Sequence, residues 1–342
     1  MGEIMDLSYD ALNKSIQTEL KSMYLLYGGE QYLIDTCVNK IKKCFGELLL
    51  GINYILLDES NVDNLISDIE MPAFGYDKKL IVVRNSGLFK KDGRKKTGTP
   101  IQEKVTEFIK NNIDIINESV VLVFVESEAD KNSVFEAISN NGIVCNIEEL
   151  KPIQLVKKLK QICNLYKVNC DEVTLNYLVE IAGTNLEILI NEIRKLIEYA
   201  GIDGTITIKD VNCLSIKQID SVIFELTDNL AIRKIDKALE VLDNLIYQKE
   251  ALQKILITLY NHFKKIYLCS IAVQNNKDIV NSLSLRPNQT FLVTKYRKQA
   301  SYFKMDELRK ILNALIDLDY NSKNGKIDID VGLRSILCRY CS

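Results

Sequence analysis

Five short apolar runs in the first 148 residues constrain this chain more than any other feature. They are Tyr24–Tyr27, Tyr54–Leu57, Leu80–Val83, Val120–Val125 and Ile143–Ile147. Four are nearly continuous, the pattern of strands covered by helices on both faces of a parallel sheet. Helix-period stretches lie between them, near 30–45, 61–70, 101–112 and 131–140. Alternation of this kind predicts a doubly wound α/β domain over 1–148.

After Pro152 the strand pattern stops and the remainder reads as helical. Thr184-Asn185-Leu186-Glu187 has the spacing of a capping box, with Thr184 as the cap. Leu186, Leu189, Ile190, Ile193, Leu196, Ile197 and Ala200 then form a 3.6-residue stripe that Gly201 ends. A break near Ser215–Asp220 precedes two further amphipathic stretches. One is marked by Leu252, Ile255, Leu256, Leu259, Phe263 and Ile266, the other by Leu308, Ile311, Leu312, Leu315 and Leu318. The expected organisation is an α/β domain over 1–148, a small helical unit over 149–214 and a larger helical bundle over 215–342.

Charge excludes little and advertises nothing. Forty-four basic residues against 46 acidic ones leave a formal charge of −2 across 342 residues, so any contact with nucleic acid must be local. The longest apolar stretch, Val120 to Val125, is too short to span a bilayer, and the first residues lack the layout of a signal peptide. A cytoplasmic protein with no membrane partner is expected. Nine scattered cysteines are expected to be reduced thiols. Cys37 and Cys44 share a stripe with Leu33, Ile34, Val38 and Ile41, which predicts burial of both.

The chemistry of nucleotide hydrolysis is absent from the place where the alternation would put it. Gly28-Gly29 follows the first strand and precedes a helix, as a phosphate-binding loop would. That loop requires a lysine and a hydroxyl after its last glycine. Counting from Gly28, the last three positions here are Leu33, Ile34 and Asp35. Two apolar side chains and a carboxylate disfavour a triphosphate. The third strand runs into Arg84-Asn85, where metal binding would call for acids. No cofactor, no metal and no catalytic activity are expected. A single histidine, His262, excludes a histidine-rich site and reads as a structural group on a helix. Cys338-Arg339-Tyr340-Cys341 has the C-x-x-C spacing but no second pair of ligands.

Two features remain to carry function. Met71-Pro72-Ala73-Phe74-Gly75-Tyr76 follows a short helix; proline stops that helix and glycine allows a turn, placing Phe74 at a loop tip. An aromatic there serves either as a binding anchor or as a plug tucked into its own domain. The second feature is basic: Lys90, Lys91, Arg94, Lys95 and Lys96 in one loop, and Lys295, Arg297 and Lys298 around Tyr296 on a helix. Each group is either a DNA phosphate contact or a solvated face.

Several segments, in order and spacing, resemble the delta subunit of bacterial DNA polymerase III, over nearly the whole chain. Tyr24-Leu25-Leu26-Tyr27-Gly28-Gly29-Glu30-Gln31-Tyr32-Leu33-Ile34 is similar to the family's opening strand–turn–helix. Leu80-Ile81-Val82-Val83-Arg84-Asn85 is similar to its central strand. Asn191-Glu192-Ile193-Arg194-Lys195-Leu196 resembles a helix of its second domain. Ile223-Phe224-Glu225-Leu226 with Ala238-Leu239 resembles the start of the third, and Lys323-Asn324-Gly325, behind Leu318-Asp319, a C-terminal turn.

The resemblance implies an AAA+-like α/β domain with a degenerate nucleotide site at Gly28, Gly29, Leu33 and Ile34, then a helical lid and a helical collar. It implies a clamp-loader subunit, part of the polymerase holoenzyme, that binds and helps open the sliding clamp for loading onto primed DNA without hydrolysing ATP. The implied partners are the beta clamp, the ATPase and delta-prime loader subunits, and primed DNA. Phe74 becomes the clamp-contacting wedge, with Met71, Ala73 and Tyr76 around it. The family often has a second bulky apolar residue just before this phenylalanine, where this chain has Ala73. Two other readings stand beside it: an ATPase motor subunit of the loader, and a helical scaffold without a replication role.

Overall fold

The first strand, β1 (Met23–Tyr27), lies inside a five-stranded sheet and is buried along almost its whole length. A computed structural model describes residues 8–90 and 100–341. Its elements fall into two units, 1–149 and 150–342.

In the first unit the chain runs α1 (Tyr9–Thr18), β1, α2 (Gln31–Phe45), β2 (Tyr54–Leu57), α3 (Leu65–Glu70), β3 (Lys79–Arg84), α4 (Pro100–Asn111), α5 (Ile113–Ser119), β4 (Val120–Glu126), α6 (Ser133–Asn141) and β5 (Ile143–Asn146). A turn of 3₁₀ helix at Val62–Asn64 leads into α3. The sheet order is β2-β3-β4-β1-β5, and each pairing is parallel. Parallel neighbours need crossover helices, and this is why strands and helices alternate along the chain. On one face, Leu25, Ile81, Val83, Leu122 and Phe124 pack with Leu65, Ile69, Val105, Ile109 and Ile138 of α3, α4 and α6. Strand residues of the other parity point to the opposite face, where α1 and α2 bury Leu12, Ile16, Ile34, Cys37 and Ile41.

The second unit begins with α7 (Pro152–Leu165), β6 (Asn169–Cys170), α8 (Glu172–Ala182), α9 (Leu186–Ala200), β7 (Thr205–Ile206) and α10 (Ile208–Leu214). It continues with α11 (Ile219–Ala231), α12 (Ile235–Tyr247), α13 (Leu252–Gln274), α14 (Ile279–Ser282), α15 (Leu292–Ala300), α16 (Met305–Lys323) and α17 (Ile329–Cys341). One apolar core joins α11 through α17, with Ile223, Leu226, Leu259, Phe263, Ile311, Leu315 and Leu337 inside it. The strand pattern does not stop completely after Pro152: β6 and β7 form a parallel pair of two residues each, too short for periodicity to reveal. The cap of α9 is Asn185, whose side chain accepts from the Ile188 amide at 3.0 Å; Thr184 is not the cap. Gly201 ends α9 at φ +70, as its position predicts. No helix among the described residues is long and apolar enough to cross a membrane.

A parallel five-stranded α/β unit followed by helical regions is the fold class that the resemblance implied.

Candidate partner-binding site

Phe74 sits on a tight turn that leads into β3, at the end of the sheet where that strand begins. Met71 closes α3, its amide bonding Ser67 O at 3.0 Å, and Pro72 prevents another turn. The Tyr76 amide bonds Ala73 O at 3.1 Å, and Gly75 takes φ +79. The turn is fastened at its far end by Lys79. That residue is buried at the first position of β3, and its ammonium donates to Asp68 O in α3. Burial pushes the Lys79 pKa down, with the nearby Asp68 carboxylate opposing the shift. Lys78 Nζ donates to Asn117 O of α5 at 2.6 Å. The phenylalanine is therefore not a plug in its own domain: it is 85% exposed, with Met71 60% exposed beside it. Ala73 and Tyr76 are half-buried. Lys79 was not singled out from sequence; a lysine opening an apolar strand was its one signal.

The opposite end of the sheet holds the Gly28-Gly29 turn, where the amides of Gly28, Glu30 and Gln31 are already engaged. Gly28 N–H donates to Glu126 O at 3.3 Å, Glu30 N–H to Ile147 O at 3.0 Å and Gln31 N–H to Gly29 O at 3.1 Å. A phosphate cradle needs such amides turned toward the ligand. The glycines serve a close approach instead. At Gly28, φ is +129 and a Cβ would lie 2.3 Å from Ile147 O; at Gly29 it would lie 2.9 Å from Glu149 Cγ. Leu33 and Ile34 are buried in α2. Asp35 accepts from Arg84 Nη2 at 2.7 Å.

Among the described residues, the cleft at this end, about 730 Å³, is lined by Glu59, Glu126, Glu128, Asp130 and Glu148 against one cation, Lys90. Glu126 accepts from the Ser86 amide at 2.8 Å and hydroxyl at 2.6 Å. Burial raises its pKa, which the Ser86 bonds partly offset. A carboxylate-lined cleft repels phosphate.

The basic candidates separate. Lys90 is exposed; Lys91, Arg94, Lys95 and Lys96 lie outside the described residues. Arg297 and Lys298 are exposed on α15, but Lys295 is paired with Glu180 and lies 5.6 Å from the Phe224 ring centroid. Tyr296 is buried, so it offers no stacking face to a base.

His262 is a core residue. Its Nε2 is 2.8 Å from Gln299 Oε1 and 2.9 Å from Thr227 Oγ1, and its ring stands edge-on to Phe224 at 4.3 Å. Thr227 donates to Ile223 O, and Gln299 Nε2 donates to Asp228 Oδ1 at 2.7 Å. Nε2 is thus the donor to Gln299, and burial lowers the imidazole pKa to about 4. Among the described residues no cluster of histidine, cysteine and acidic groups could hold a metal ion. Cys338 is exposed on α17. Cys37 is buried as expected, but Cys44 is exposed, its thiol donating to Ile16 O at 3.7 Å. It lies in the last turn of α2, where the stripe runs past the edge of the core.

Comparison with known proteins gives this arrangement its context. The family description "DNA polymerase III, delta subunit" matches residues 24–148, and the C-terminal domain of that subunit matches 220–340. A middle-domain description matches 152–213. The DNA polymerase III subunit delta of Bacillus subtilis is 25% identical over 336 residues, covering 94% of this chain and 93% of that one. A probable DNA polymerase III subunit delta of Aquifex aeolicus is 30% identical over 312 residues, covering 88% and 86%. The solved structure of the Bacillus subtilis DNA clamp loader delta protein shares the fold, with a TM-score of 0.76 at 22% identity over 97% of this chain and 99% of that one. The class these define is a subunit of DNA polymerase III. Within it, the chain belongs to the DNA polymerase III delta subunit family.

Proposed function

We propose that this clamp-loader delta subunit binds the sliding clamp through the Phe74 turn and favours the clamp's open state, while neighbouring subunits supply the energy of ATP. The observation that carries the proposal is Phe74 itself, 85% exposed on a turn held at both ends. An aromatic kept in water on a fixed backbone loses little conformational freedom on docking, so most of its burial energy appears as affinity. It would enter an apolar pocket of the clamp. A partner shifts a closed–open equilibrium only through different affinities for the two states. The work is therefore tighter binding to a ring whose interface has relaxed.

The engaged amides at Gly28 and Glu30, the buried Leu33 and Ile34, and the Arg84–Asp35 pair support a subunit that neither binds nor hydrolyses nucleotide. They weigh against the ATPase-motor reading. The matched segments 24–148, 152–213 and 220–340 support division into clamp-binding, lid and collar regions, with the collar assembling with the ATPase and delta-prime subunits in the cytoplasm. Of the basic candidates, Lys90, Arg297 and Lys298 are exposed and so available to phosphates of primed DNA.

Pull-down of the organism's own clamp by the purified chain and by Phe74→Ala tests the reading. Capture is expected with the first and loss of at least tenfold in affinity with the second. Equal capture by both would remove Phe74 from the contact.

A further inference from the structure

Leu50 repeats, one strand away, the construction that displays Phe74. Leu49-Leu50-Gly51 leads toward β2 and Ala73-Phe74-Gly75 toward β3, and these strands are parallel neighbours with Tyr54 opposite Leu80. In each turn a large apolar residue stands directly before a glycine in the left-handed region, at φ +82 for Gly51 and +79 for Gly75. A Cβ on either glycine would meet nothing within 4 Å. The glycines therefore serve backbone conformation and not close packing. Leu50 is 69% exposed, with Ile52 43% exposed beside it.

The two turns are also tied together. Asn53, fully buried, accepts from the Leu49 amide at 2.6 Å and donates to Glu47 O at 2.8 Å, which locks the Leu50 turn. Its own carbonyl accepts from the Leu80 amide at 2.8 Å, joining that turn to the strand that the Phe74 turn feeds. Large apolar groups gathered in water at one sheet edge mark a contact surface, and rigid backbones reduce the ordering cost of covering them.

We propose that Leu50 is a second anchor for the sliding clamp, continuous with Phe74 and with Met71, and that it supplies the bulk that Ala73 does not. The inference rests on the clamp reading of Phe74 and adds a residue from a separate segment of the chain. A clamp patch that covers both turns must be apolar beyond the phenylalanine pocket.

The test is titration of the full chain against its own purified clamp, with Leu50→Ala, Leu50→Met, Phe74→Ala and, as a control, Tyr247→Ala, an 88% exposed residue of the second unit. Leu50→Ala is expected to weaken binding about tenfold with an unchanged melting temperature. Leu50→Met is expected to restore most of the affinity, and Tyr247→Ala to match the unmodified chain. If Leu50→Ala binds as the unmodified chain does while Phe74→Ala fails, this inference falls and the clamp reading stands. If both bind normally, both fall. Sedimentation of the chain alone supplies a further check: a self-association abolished by Leu50→Ala would assign the patch to a second copy and overturn the proposal.

Discussion

Arg84 Nη2 lies 2.7 Å from Asp35 Oδ1, joining the end of β3 to the first turns of α2. In a nucleotide-hydrolysing relative of this layout, the position of Asp35 would carry a hydroxyl and the end of β3 an acid. Here a carboxylate stands in place of the hydroxyl and a guanidinium in place of the acid, and the two neutralise each other. Adding millimolar magnesium–ATP is therefore expected to leave the melting temperature unchanged, by the linkage of binding to stability. Asp35→Thr combined with Arg84→Asp is expected to behave likewise, because Leu33 and Ile34 still fill the remaining positions. A rise of several degrees in either protein would contradict this. The pair is more than a third exposed on each side, so Arg84→Ala should cost under about 1 kcal/mol.

The turn after β1 makes a second expectation sharp. Gly28→Ala places a methyl 2.3 Å from Ile147 O at a backbone angle of +129. The strained backbone and the clash must both be relieved by moving the segment after β5. A loss of about 2 kcal/mol or more is expected in urea denaturation. A variant of normal stability would mean that the turn relaxes freely.

His262 gives the stability a pH dependence of defined sign. Its folded pKa, about 4, lies below the ordinary 6.5. Between these values the unfolded chain binds a proton that the folded chain does not. The contribution is complete above about pH 6.5 and is lost as pH falls toward about 4, up to about 3 kcal/mol. Urea midpoints of the unmodified chain and His262→Gln should differ less at pH 4.5 than at pH 7.5. A constant difference would show that folding does not lower the imidazole pKa.

Lys79 ties the start of β3, just after the Phe74 turn, to α3. Lys79→Met keeps the volume and removes the donor to Asp68 O. Clamp affinity is expected to fall about threefold to tenfold as the turn gains freedom that docking must remove, with Phe74 still present. Unchanged affinity would show that the turn is held without the ammonium.

Much of the fold was legible because the sheet is covered on both faces. Continuous apolar strands such as Val120–Glu126 cannot hide in a polar background. Shorter elements did hide. Helix α1 buries Leu12 and Ile16 alone, α5 has seven residues, and β6 and β7 have two each, all below the length at which a period declares itself. Adjacent good caps at Thr184 and Asn185 compete for one helix, and only backbone geometry chooses between them. At the site, proline and glycine gave away the turn, yet the bond from Lys79 to Asp68 O that holds its flank joins residues 11 positions apart and needs the fold to be seen. Arg84 and Asp35 were each visible as anomalies, but they are 49 positions apart, and only the sheet brings them together.

The proposed role requires the chain to open the clamp by binding alone, without nucleotide. The most direct measurement is the rate at which clamp rings leave a nicked circular DNA when the chain is added without nucleotide. Release is expected to be at least about tenfold faster with the unmodified chain than with none, and Phe74→Ala is expected to return it to the unassisted rate. Release that depends on ATP in the presence of this chain alone, or that is untouched by Phe74→Ala, would contradict the account.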